Sequence, residues 1–106
     1  GLYRRWYEGN KLAIEGSYEK GMMHGSWLFY DQSGYIIGKA TFNRGTGIQI
    51  VQHPNGKLQR EIHFQNNLQH GEETFYDLDG KLLKTRVYEH GTLVSEVDVP
   101  TSSSLD

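Results

Sequence analysis

Four glycine-bounded units of about 24 residues follow one another along this chain, and so short a period constrains the fold more than any single residue does. Gly1, Gly25, Gly47 and Gly71 open the units, at successive spacings of 24, 22 and 24 residues. Asn10, Gly34, Gly56 and Gly80 stand nine positions into each unit, and eight positions later comes an aromatic: Tyr18, Phe42, Phe64 or Tyr88. Gly21, Gly45, Asn67 and Gly91 close the units. The short spacing traces to Gly45–Gly47, which replaces the longer run from Gly21 to Gly25, and reads as a deletion in a turn, where it costs least. A unit this small cannot bury its apolar surface alone. It must pack on its neighbours, which favours binding or scaffolding over catalysis.

Each unit reads as a β-hairpin. Residues Leu2 to Tyr7, Ser26 to Asp31, Ile48 to His53 and Glu72 to Asp77 have the length of a strand. They end in Gly9-Asn10, Ser33-Gly34, Asn55-Gly56 and Asp79-Gly80, pairs suited to tight turns. The second segments alternate, as in Leu12, Ile14, Gly16, Tyr18 and Leu58, Arg60, Ile62, Phe64. Glycines every ten or so residues disfavour helix. The expected fold is therefore all-β: an antiparallel meander of eight hairpin strands in one extended twisted sheet, closed by a ninth, capping strand over Leu93 to Val99. The expected domain spans 1–99, with repeats 1–24, 25–46, 47–70 and 71–93, and 100–106 reads as a disordered polar tail. Counting by twos puts Leu12, Ile36, Leu58 and Leu82 on the same face as the aromatic row Tyr18, Phe42, Phe64 and Tyr88.

Composition narrows the function classes. Net charge is −2 with both signs interspersed, so no positive field collects nucleic acid, and none is expected as a partner. There is no cysteine, hence neither disulfide framework nor thiolate chemistry, and no run approaches the length of a membrane-spanning helix. The chain begins at a unit boundary without methionine, which reads as a piece of a longer repeat protein; compartment is left open. An uncapped first strand could also pair with a second copy through its edge.

The motif Gly-x-Trp-x-Phe-Tyr-Asp-x-x-Gly over Gly25 to Gly34, returning as Gly71, Phe75, Tyr76, Asp77 and Gly80, resembles the MORN repeat family in its variant form. The resemblance runs from residue 1 to about 93. It implies hairpin repeats in an extended sheet used for protein or lipid contact and no catalytic residue, and the variant is typical of bacterial proteins grouped as toxin–antitoxin-type antitoxins or left uncharacterised; no cofactor is expected. Asn10 and Asn67 depart from its glycines, and Gln49 and Glu73 stand where Trp27 does, which suggests that this tryptophan is not required structurally.

Catalytic and metal readings find little support. His24, His53, His63, His70 and His90 show no spacing of a known metal site, and Glu61, Glu72, Glu73, Asp77 and Asp79 are scattered without pairing, so neither catalytic nor metal-binding residues are assigned. Lys11, Lys57 and Lys81 each follow a hairpin turn and line one margin, where they could meet lipid phosphates; turn-flanking lysines that keep a sheet soluble are the commoner use. Tyr3, Tyr7, Trp27, Phe29 and Phe75 share one strand parity and are the candidate anchors for a partner protein. The expected function is a non-enzymatic protein-interaction module, with lipid contact or a structural spacer as alternatives.

Overall fold

Strand follows strand through turns too short for any crossover, so neighbours in sequence become neighbours in space. A computed structural model describes residues 1–100. It contains β1 (Leu2–Tyr7), β2 (Lys11–Glu19), β3 (Met22–Tyr30), β4 (Ile36–Asn43), β5 (Thr46–Gln52), β6 (Leu58–Gln65), β7 (Leu68–Tyr76), β8 (Leu82–Glu89) and β9 (Thr92–Asp98). These pair in the order β1 to β9 as one antiparallel sheet, with no helix among the described residues. The expected all-β meander and its ninth strand are both present. The expected tail over 100–106 falls almost wholly outside the described residues. The sheet measures 53 × 33 × 20 Å, thicker than one flat pleated layer.

The closing pairs are all the same turn. Lys20-Gly21, Arg44-Gly45, Asn66-Asn67 and His90-Gly91 each hold both residues at positive φ, the geometry that matches strand twist in a two-residue hairpin. The deletion inferred in a connector therefore lies elsewhere. β3 and β7 have nine residues against seven in β5, and where they face β2 and β6 the register slips by two around Gly25 and Gly71. The β4–β5 pairing has no slip. The missing residues are those of a bulge inside a strand, and Gly25, Gly47 and Gly71 sit within strands and do not open turns.

This gives the sheet a structural period of two hairpins, 46 residues, from Gly1 to Gly47 and from Gly25 to Gly71. The Tyr7 hydroxyl donates to the Tyr30 carbonyl at 2.8 Å, and His53 Nε2 meets the equivalent Tyr76 carbonyl at 2.9 Å. His24 Nδ1 accepts from the Arg44 amide at 3.0 Å, and His70 Nδ1 accepts from the His90 amide at 3.2 Å.

A second slip corrects the face assignment. Arg5 pairs with Ile14 but Trp6 with Leu12, and the same one-residue jump recurs at Phe29/Tyr30, Val51/Gln52 and Phe75/Tyr76, leaving Ala13, Ile37, Gln59 and Leu83 without a partner on those strands. Paired residues share a face. Ile36, opposite Tyr30, thus lies away from Phe29, Gly38 and Phe42, and Leu12, Leu58 and Leu82 follow it. Counting by twos fails across a bulge because the extra residue resets the alternation.

The core lies on the Phe42 face. Trp27 is its centre, 4% exposed, with Tyr18 edge-on at 5.3 Å, Tyr3 at 5.6 Å and Phe42 edge-on at 6.2 Å. Phe42 in turn meets Phe64 at 5.5 Å. The aromatic row is thus bridged by Trp27 between Tyr18 and Phe42. Gly16 lies beneath the indole; a Cβ there would sit 2.0 Å from a ring carbon.

Candidate functional site

One row crosses the core face from strand to strand: Tyr3 pairs with Gly16, which lies under Trp27 at the β2–β3 slip, and from Trp27 the pairing continues through Ala40, Gln49, Ile62, Glu73, Arg86 and Glu96. It begins aromatic, turns small and aliphatic, and ends charged. Of the anchors expected from sequence, Trp27 is buried in the core and so is no exposed contact. The idea that it is structurally dispensable is likewise corrected: its row changes character along the sheet, so units three and four do not report on its role in unit two. Tyr3 packs on Trp27, and the Tyr7 hydroxyl already has an acceptor in Tyr30. Phe29 packs at the rim of the core, and Phe75 lies under Arg60, Lys84 and Arg86, whose charges stand 5.8, 5.9 and 5.3 Å from its ring centre.

That charged end is internally compensated. Arg86 Nε bonds Glu96 at 2.7 Å, and Lys84 Nζ reaches Glu96 at 3.6 Å and Asp98 at 3.9 Å. The Arg86 bond holds the Glu96 carboxyl below its ordinary range, and the same bond raises the Arg86 guanidinium. Glu73 is 3% exposed, with Arg60 Nε 3.6 Å away and one carboxylate oxygen without a partner. Arg60, Lys84 and Arg86 thus each have a carboxylate within 3.6 Å, while Arg60 Nε has no hydrogen-bond partner.

The margin formed by the mid-unit turns is different. Asp31 and Asp77 each accept two backbone amides on one carboxylate oxygen, from Ser33 and Tyr35 and from Asp79 and Lys81, which explains the Tyr-Asp-x-x-Gly motif as a turn lock. The Lys81 amide, first among these bonds, holds the Asp77 carboxyl below its ordinary value. Trp6 is 54% exposed, Tyr35 73% and Leu78 57%, with Ile36, Leu82 and Leu83 also exposed beside them. Tyr35 and Leu78 were not singled out from sequence; the available signal was a bulky apolar residue inside a Gly- and Asp-rich turn, where nothing can cover it. Lys11, Lys57 and Lys81 lie along this margin as expected, but Glu8, Asp31, Asp77 and Asp79 stand there too, so it is not basic.

Two clefts open at the core-face side of this margin. One, of about 490 Å³, is lined by His53, Phe75, Tyr76 and Leu83 with Asp77 and Asp79 at its rim; the other, of about 340 Å³, is lined by Tyr7, Phe29, Tyr30 and Ile37 with Arg5 and Trp6. These quartets occupy equivalent positions, one structural period apart. The unpaired bulge residues Ile37 and Leu83 help form both.

The opposite margin is structural. The Asn67 side chain donates to the Gly21 carbonyl at 2.9 Å and accepts from the Met23 amide at 2.8 Å, tying the third unit to the first. Among the described residues no group of three or more His, Asp or Glu side chains is placed to hold a metal ion.

The hairpin repeat, its glycine positions and its turn lock coincide with a known pattern: the MORN repeat variant matches residues 1–20, 46–66 and 69–90, more than half of the chain. The chain belongs to the MORN repeat variant family. The matched segments are the hairpins β1–β2, β5–β6 and β7–β8, while the β3–β4 hairpin, which carries Trp27, lies between them with the same architecture. MORN repeats are non-catalytic modules generally associated with protein or membrane-lipid binding. No curated protein and no solved structure matches the chain.

Proposed function

We propose that this MORN-repeat sheet is a protein-binding module that engages its partner along the margin of mid-unit turns. The observation that carries this reading is the concentration of exposed apolar side chains there, led by Tyr35, Leu78 and Trp6, beside two apolar clefts. Exposed aromatics of this kind are the usual anchors of protein interfaces. Charge argues for protein over lipid. Three lysines and Arg5 on this margin stand among four carboxylates, and an anionic leaflet rewards each nearby basic residue by only about 1 kcal/mol. Neutralising a toxin by binding it is one form such an activity would take.

The test compares the parent chain with a Tyr35→Ser, Leu78→Ser variant, both residues lying in turns outside the core. Photo-crosslinking from the margin in lysate is followed by flotation with anionic vesicles. The reading expects a discrete protein adduct that the variant loses and no flotation of either form. Vesicle binding by the parent, or an adduct that the variant keeps, would overturn it.

A further inference from the structure

Of the chain's asparagines, only Asn55 precedes a glycine. Both residues are exposed at the tip of the β5–β6 turn, with Gly56 at positive φ and open space where a side chain would stand. The turn is closed by the Gly56 amide, which donates to the His53 carbonyl at 2.8 Å. The Asn55 carboxamide folds over the same backbone, its Oδ1 accepting from the Lys57 amide at 2.9 Å. Its nitrogen reaches the β7–β8 turn, where Nδ2 donates to the Leu78 carbonyl at 3.1 Å. The contact of His53 Nε2 with the Tyr76 carbonyl is the other side-chain bond between these two hairpins on this margin, among the described residues.

An Asn-Gly pair in such a turn can react with itself. Once released from His53, the Gly56 amide nitrogen attacks Asn55 Cγ. The new N–Cγ bond closes a five-membered succinimide, and Nδ2 leaves as ammonia, taking up the proton that Gly56 gives up. Water then adds to either ring carbonyl and breaks its bond to the ring nitrogen. The product is aspartate or, with the main chain rerouted through Cγ, isoaspartate; one water is consumed and one ammonia released. A side chain on the following residue obstructs ring closure, and glycine has none. A single hydrogen bond in an exposed turn holds the attacking nitrogen, and such local openings cost little.

We infer that Asn55 is a self-modification site whose conversion unties the turn of the third unit from that of the fourth. The nitrogen that leaves is the one that makes the tie. A carboxylate at position 55 has only acceptors to offer the Leu78 carbonyl, and its charge arrives beside a residue flanked by Asp77 and Asp79. Leu78 lines the Phe75 cleft, so the margin changes as the molecule ages. Gly9 stands at the equivalent place one structural period earlier, and the Phe29 cleft therefore has no counterpart of this tie. None of this depends on which partner the margin meets.

The parent chain, held in mildly alkaline buffer and sampled over weeks, is digested and read by peptide mass spectrometry, which locates each exchange of amide for acid. Conversion at Asn55 should run at least about tenfold faster than at Asn10, Asn43, Asn66 or Asn67, where Lys11, Arg44, Asn67 and Leu68 crowd the ring closure. Amide NMR of the aged protein should show shifts concentrated at Leu78 and Asp79, and a freshly made Asn55→Asp variant should reproduce those of the aspartate product. Conversion at Asn55 no faster than at the other asparagines would overturn the site. Conversion that leaves the Leu78 and Asp79 amides unmoved would overturn the untying; both readings are taken on the parent itself, so they stand even where the variant fails to fold.

Discussion

Placing alanine at Gly16 sets two opposed effects against each other, and the structure decides the sign. In a strand interior glycine is worse than alanine by roughly 0.5–1 kcal/mol through backbone entropy, so Gly16→Ala would stabilise an unconstrained strand. Here the new Cβ would stand 2.0, 2.3 and 2.4 Å from three carbons of the Trp27 indole. The indole cannot swing away, because Tyr3, Tyr18 and Phe42 hold it from three sides. Overpacking of a held ring costs about 1–3 kcal/mol or more, which exceeds the entropic gain. Gly16→Ala should therefore destabilise the parent by about 1–2 kcal/mol net, lowering Tm by very roughly 5–15 °C in a domain of this size. In a Trp27→Ala background the clash is gone, and the same change should become neutral or slightly stabilising. Trp27→Ala alone should cost about 3–5 kcal/mol. Urea unfolding of the four proteins, followed by circular dichroism so that loss of the indole does not alter the probe, gives the coupling energy. Equal effects of Gly16→Ala in both backgrounds would refute the packing argument.

Three further outcomes are expected. Asn67→Gly keeps the turn but deletes the side-chain bonds to Gly21 and Met23, so urea unfolding should show a loss of about 1–2 kcal/mol; an unchanged midpoint would mean the first and third units are not tied there. Asp77, its carboxyl held low by the Lys81 amide, contributes stability above the ordinary aspartate range and loses it as pH falls through the lowered value; carbon-detected NMR should show it titrating below free aspartate, with the Lys81 amide shift moving in step. Tyr7→Phe should cost about 0.5–1.5 kcal/mol through the lost bond to Tyr30, and His53→Phe a similar amount through Tyr76, measured by thermal melts.

The hairpins were legible in the sequence because their signals are local. Glycine and asparagine at fixed offsets specify turns whichever core forms beneath them, and alternation within six residues marks a strand. The candidate site was legible only in part. Phe29 and Phe75 follow from strand parity, which holds from Ser26 and Glu72 onward because the β3 and β7 slips lie before them at Gly25 and Gly71; the Leu12 row is misplaced when parity is carried across the second bulge. Trp27 was read as a surface anchor because a single-layer sheet has to expose a face. Its burial depends on Gly16 opposite and on rings from three other strands, a coincidence that no local window contains. Asn67 looked like a mild substitute for glycine, yet its amide bonds reach residues 44 and 46 positions away.

The sequence alone determined the number of strands, their order and the mid-unit turns, since each of these rests on interactions within a few residues. The tertiary structure decided which side chains are covered, where the register slips, and that the working period is two hairpins. Those outcomes depend on how neighbouring strands share space across the sheet, and only the assembled packing settles that competition.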